Sequence, residues 1–87
     1  MSYEIRYAPG VEKELRRLSR PVLKRVDTAI LKLAENPRPP GCIKLKGSTH
    51  TYRVRVGDWR IVYDIDDAGR ILVLLIVAHR SQVYRDF

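Results

Sequence analysis

Polar and apolar residues alternate from Thr51 to Tyr63, on both sides of Gly57 and Asp58. A period of two interrupted by a glycine-containing pair predicts two antiparallel strands joined by a two-residue turn. Pairing Val56 with Trp59 sets Arg55 opposite Arg60, with both side chains on one face, and Arg53 projects from that face as well. Val54, Val56, Trp59 and Tyr63 share the other parity and read as core. Upstream, Tyr3 to Tyr7 alternates as a short strand that Ala8, Pro9 and Gly10 break. Val11, Leu15 and Leu18 then recur at helical spacing, followed by Val22, Val26, Ala29, Ile30 and Leu33 along a second stripe. Ser19 is placed to cap the second helix, Pro21 is tolerated in its first turn, and Asn36 with Pro37 ends it. Two helices joined so briefly form a hairpin, and their shared apolar stripe requires a sheet to cover it.

After the second helix, Arg38 to Gly41 is a stiff, proline-rich loop. Asp66 to Gly69 is a turn signal, and Arg70 to Ala78 is nearly all aliphatic, as in a strand that is covered on both faces or central in its sheet. The expected fold is therefore α+β in the order β-α-α-β-β-β, an antiparallel meander sheet with a helical hairpin on one face and the other face open. The register of the last strand is undetermined. A four-residue loop would put His79 on the Arg60 face, whereas a three-residue loop with a bulge would not.

Eighty-seven residues make one small domain, residues 1–87, large enough to hold a core without disulfides or metal. The single cysteine, Cys42, excludes an intrachain disulfide and a cysteine-based metal cluster, and it reads as a half-buried filler. With no signal-peptide pattern at the start and no apolar run of transmembrane length, a reducing cytoplasm is the expected compartment, without membrane association. Charge changes the picture more. The net charge of +7 and pI near 10.0 favour association with polyanions or acidic proteins.

That charge is concentrated. Between Gly41 and Arg60 lie five basic residues (Lys44, Lys46, Arg53, Arg55 and Arg60) against one acidic residue, Asp58. His79, Arg80 and Arg85 approach from the tail. Like charges directly opposite each other destabilise a sheet by roughly 0.2–1 kcal/mol, so the Arg55–Arg60 pair serves an anionic ligand better than it serves the fold. The alternative is a solvated sheet face, where arginine is common. Tyr52, Trp59, Tyr63 and Tyr84 are interleaved with the cations. Basic groups with flat rings suit single-stranded RNA, and Tyr84, outside the regular strands, is the best placed to stack. Asp64, Asp66 and Asp67 read as turn and solvation residues. No nucleotide-binding glycine loop, nucleophile elbow or metal-ligand motif is present. Chemistry at this face would be metal-free and cofactor-free, with arginines holding a scissile phosphate and neutralising charge that develops on its oxygens. The RNA's own 2′-OH can supply the nucleophile.

Lys44 to Gly47, Tyr52 to Arg55, Trp59 to Tyr63, Ala78 to Arg80 and Val83 with Tyr84, following a helical hairpin, resemble the RelE/ParE superfamily of bacterial and archaeal toxins over essentially the whole chain. The RelE branch implies a microbial-RNase-like fold that cleaves messenger RNA on the ribosome, together with a cognate RelB-like antitoxin as partner. By that resemblance Arg60 would stabilise the transition-state phosphate, Arg80 would assist departure of the 5′-oxygen, and Tyr84 would stack on a base. Lys44, Lys46, Arg53 and Arg55 would bind RNA phosphates. Arg53 and Arg55 stand where such toxins typically carry lysines. Arginine is a poor general base, so His79 is the alternative proton acceptor. The ParE branch implies inhibition of DNA gyrase by binding instead. A basic binding module without turnover is a third reading.

Overall fold

The computed structural model describes residues 2–82, and in them the two helices lie in sequence between the first strand and the rest of the sheet. Strand β1 (Glu4–Tyr7) is followed by α1 (Val11–Arg16), α2 (Arg20–Glu35), β2 (Ile43–Lys44), β3 (Thr51–Val56), β4 (Trp59–Asp66) and β5 (Ile71–His79). One sheet orders them β1-β5-β4-β3-β2. The meander from β2 to β5 is antiparallel, as the alternation predicts, whereas β1 pairs in parallel with β5. That difference follows from the connection: two helices cross one face between β1 and β2, which frees β1 to enter the sheet beside its most apolar strand. The two-residue strand β2 is too short for alternation to reveal.

Local chemistry explains the helix boundaries. Gly10 precedes α1 at φ 91°, a conformation glycine adopts without a Cβ penalty. Ser19 stands at the cap of α2 with extended backbone and Pro21 in the first turn, but the Ser19 hydroxyl makes no capping bond. Its carbonyl accepts from the Leu23 amide instead, at 2.8 Å.

The core lies between the helices and one sheet face. Val26, Ile30 and Leu33 of α2 and Val11 of α1 meet Val54, Ile61, Tyr63, Ile65, Leu72, Leu74 and Val77. Tyr63 is fully buried, and its hydroxyl donates to the Pro37 carbonyl at 2.7 Å. Burial, with Cys42 beside it, raises the Tyr63 pKa well above the ordinary phenol value, so the ring stays neutral. The opposite face is less open than expected. Val62 is fully buried there, in a small cluster with Leu45, Leu75, Ile76 and Ala78.

Asp67 is more than a turn residue. Arg38 donates to its two carboxylate oxygens at 2.8 and 3.2 Å, and the Tyr3 hydroxyl donates at 2.6 Å. The Arg38 bonds, then that of Tyr3, pull the Asp67 pKa down to about 2. The same guanidinium lies over the Tyr52 ring, 5.2 Å from its centroid. This network ties the loop after α2 to the β4–β5 turn.

Candidate functional site

Arg60 is central to the polar part of the sheet's outer face. The hairpin register sets Val56 against Trp59 and Arg55 against Arg60, and Arg53 faces Val62 two residues further along. Gly57 takes φ 62° and Asp58 does not share the positive sign. A positive φ at the first central position alone is the type II′ arrangement, whose twist suits a two-residue hairpin. On the other side of Arg60 stands Ala78, whose small side chain leaves room beside the guanidinium. The Arg60 guanidinium folds toward its own turn, Nη1 donating to the carbonyl oxygens of Trp59 at 3.1 Å and Gly57 at 3.3 Å. Partial burial first, then the charges of Arg55, Arg53 and Arg80, lower its pKa from the ordinary arginine value. It remains a cation, in a field that a bound anion would relieve.

Arg80 joins this group through the turn. Its backbone amide donates to the Asp58 carbonyl at 2.7 Å, and its Nε lies 4.0 Å from the Asp58 carboxylate. Asp58 thus fixes where the chain leaves β5. The sequence marked Asp58 only as a turn residue, and the Gly57–Asp58 pair was the one available sign of its role.

His79 falls elsewhere. The β4–β5 turn has the four-residue length, residues 67–70, between the paired Asp66 and Ile71. Register then shifts at Val62 and Tyr63, which inserts one residue into β5 and reverses the facing of everything beyond it. His79 consequently pairs with Trp59, and their rings meet edge to face at 5.5 Å. Its Nδ1 is 3.0 Å from the Ser81 hydroxyl. The open register is thereby decided: the four-residue loop is present, but the bulge beyond it takes His79, a candidate proton acceptor, off the Arg60 face.

The other candidates divide. Arg53 and Arg55 lie on the Arg60 face, whereas Lys44 pairs with Tyr52 at the sheet edge and so takes the helix-side parity. Lys46 is exposed in the turn after Leu45. Tyr52 stacks on Tyr63 at 6.1 Å in the helix-side layer, so Tyr52, Trp59 and Tyr63 give the arginine face no stacking platform. Tyr84 and Arg85 lie outside the described residues. Among the described residues no group of three or more His, Cys, Asp or Glu side chains could hold a metal ion. No helix among them is long and apolar enough to cross a membrane.

Comparison with known proteins gives this arrangement a context. The family model for the ParE toxin of the parDE type II toxin–antitoxin system matches residues 5–84. Toxin RelG of Mycobacterium tuberculosis is 30% identical over 86 residues, covering 98% of this chain and 99% of its own. The putative toxin RelE1 of Methanocaldococcus jannaschii is 30% identical over 89 residues, covering 99% of each. In the crystal structure of the archaeal RelE–RelB complex from Pyrococcus horikoshii, a chain 26% identical superposes with a TM-score of 0.83, over 95% of this chain and 100% of that one.

Proposed function

This chain belongs to the RelE/ParE family of type II toxin–antitoxin toxins, and from that membership we propose that it is a metal-free endoribonuclease acting on messenger RNA at the ribosome. The observation that carries the reading is the convergence of Arg53, Arg55, Arg60 and Arg80 on one side of the sheet, with the Arg60 pKa lowered by partial burial and then by the other three charges. A phosphodiester would relieve that repulsion, and it gains negative charge on its non-bridging oxygens as the reaction proceeds. In the proposed step the 2′-oxygen bonds to phosphorus and the bond to the 5′-oxygen breaks, leaving a cyclic phosphate and a 5′-oxygen that takes a proton from water to become a hydroxyl. Arg60 neutralises the pentacoordinate phosphate. Arg80, held by Asp58 at the end of β5, supports the departing 5′-oxygen. Arg53 and Arg55 bind flanking phosphate, with Lys46 extending the track beyond the sheet edge, and Tyr84 stacks on a base; Lys44, on the helix-side parity, lies off this track. Since His79 pairs with Trp59, the 2′-OH proton passes to water or to a ribosomal group. A cognate acidic antitoxin is the proposed protein partner, consistent with the relative from Pyrococcus horikoshii being found with RelB.

The second reading is gyrase inhibition by binding, favoured by the name of the matching family model. In vitro translation with the purified chain, followed by primer extension, separates the two. New ribosome-dependent 5′ ends are expected. Intact messenger together with inhibited gyrase supercoiling would overturn the nuclease reading.

A further inference from the structure

The step proposed above moves one proton that no group yet carries. It leaves the 2′-OH for water, and a proton is needed on the 5′-oxygen as that atom departs. The arginines around the phosphate stay charged and cannot take it. His79 pairs with Trp59, and His50 stands at the far end of β4, its Nε2 3.8 Å from the Asp64 carboxylate. Lys44 has the helix-side parity, and Lys46 lies beyond the sheet edge.

The carboxylates of the sheet are nearly all committed. Asp64 accepts from the Thr51 hydroxyl, Asp66 from the Gly69 amide, Asp67 from Arg38 and Tyr3, and Glu4 from Arg6. Asp58 is the exception. Its carboxylate lies 4.0 Å from the Arg80 Nε and is the one carboxylate whose charge acts on Arg60. The Arg60 guanidinium folds onto the same turn, 3.3 Å from the Gly57 carbonyl oxygen. Asp58 thus stands beside both the cation assigned to the phosphate and the cation assigned to the leaving oxygen. Its side chain is 68% exposed, and among the described residues its oxygens accept no hydrogen bond, so water reaches them. The charged groups around this turn are Arg60 of β4, Arg55 of β3, Arg80 beyond β5 and Arg25 of α2, which packs on Gly57, with His79 beside Trp59.

We propose that Asp58 relays the proton, receiving it through one water from the 2′-OH and returning it through another to the departing 5′-oxygen. The relay rests on the nuclease reading above. As the 2′-oxygen bonds to phosphorus, its O–H pair stays on oxygen, the proton passes to water, and that water protonates the carboxylate. When the bond from phosphorus to the 5′-oxygen breaks, its electron pair goes to the 5′-oxygen. The proton follows, and Asp58 is a carboxylate again. Atoms and charge balance with no other reactant. Protonation also removes a negative charge from beside the phosphate at the moment the phosphate is most negative, which leaves Arg60 and Arg80 wholly to the transition state.

Asp58→Asn tests this, because it keeps the backbone carbonyl that accepts from the Arg80 amide and suits a turn. A thermal melt verifies its fold. Single-turnover cleavage of messenger on programmed ribosomes should slow by on the order of 10². Affinity for a single-stranded RNA oligonucleotide should rise, since a negative charge leaves the cationic face. Glu12→Gln, which removes the same charge from α1, should cleave at the wild-type rate. The limb of the pH–rate profile that rises with pH should flatten in Asp58→Asn, and Asp58→Glu should recover most of the rate. In an Arg80→Ala background Asp58→Asn should slow cleavage further by a similar factor. Wild-type cleavage by Asp58→Asn, or a rising limb that it retains, would overturn the relay and assign the proton to a ribosomal group. A glutamate variant no faster than the asparagine variant would overturn it too. So would a loss of effect in the Arg80→Ala background, which would reduce Asp58 to a residue that positions Arg80. A wild-type chain that cleaves no RNA would overturn the nuclease reading and the relay together, a result distinct from each of these.

Discussion

Arg60 combines a cost with a use. Set against Arg55 and lowered in pKa by partial burial and then by three neighbouring guanidinium groups, it contributes repulsion to the folded state and a preorganised charge to the face. Arg60→Ala should therefore leave the melting temperature close to that of the wild type while reducing RNA cleavage by on the order of 10²–10³. Single-turnover assays and a thermal melt read the two effects separately, and a variant that cleaves at the wild-type rate would sink the assignment. His79 makes the contrasting case. Because the bulge sets it against Trp59, His79→Ala should retain cleavage within about tenfold across the pH range, with the pH–rate profile unchanged. A flattened acidic limb, where the rate rises with pH, would restore it as the proton acceptor. Asp67 acts on stability instead. Its carboxyl is held down to about 2 in the fold, from an ordinary 3.8, by Arg38 and Tyr3. A depressed acid contributes stability that is present above pH 3.8 and is lost as pH falls toward 2. Asp67→Asn should flatten the melting temperature against pH in that window, and an unchanged acid limb would show that the network does not act on folding.

At the scale of elements, the hairpin turn organises the site. Gly57 supplies a positive φ, its carbonyl accepts from Arg60, and Arg25 of α2 packs against it, while Asp58 receives the Arg80 amide. Gly57→Ala should destabilise the protein by about 1 kcal/mol or more, since it adds backbone strain to a contact with Arg25. Chemical denaturation measures the loss. Adding Arg25→Ala should recover the contact portion and leave the strain, and full recovery would show that the turn tolerates a side chain. The turn was legible because glycine between alternating runs has few other readings. The bulge in β5 was not, since one extra aliphatic residue in an aliphatic strand alters no visible pattern.

For the whole molecule, a charge of +7 sets the terms of association. The on-rate for a cognate acidic antitoxin should fall markedly as ionic strength rises, because screening shortens the range over which the cationic surface steers its partner. Stopped-flow association over a salt series tests this, and a salt-independent rate would contradict it. Local periodicity and turn chemistry determined the two helices and the four longer strands of this chain, the two faces of its hairpin and the pairing of Arg55 with Arg60. These are properties of neighbours along the backbone, and hydrophobic patterning records them directly. Only the tertiary structure decided that β1 joins β5 in parallel, that the bulge turns His79 toward Trp59, that Asp58 anchors Arg80, and that Asp67 closes a network with Arg38 and Tyr3. Each of these depends on contacts between distant segments or on one residue of register. Their energies are settled by packing across the sheet, which the order of residues along the chain does not display.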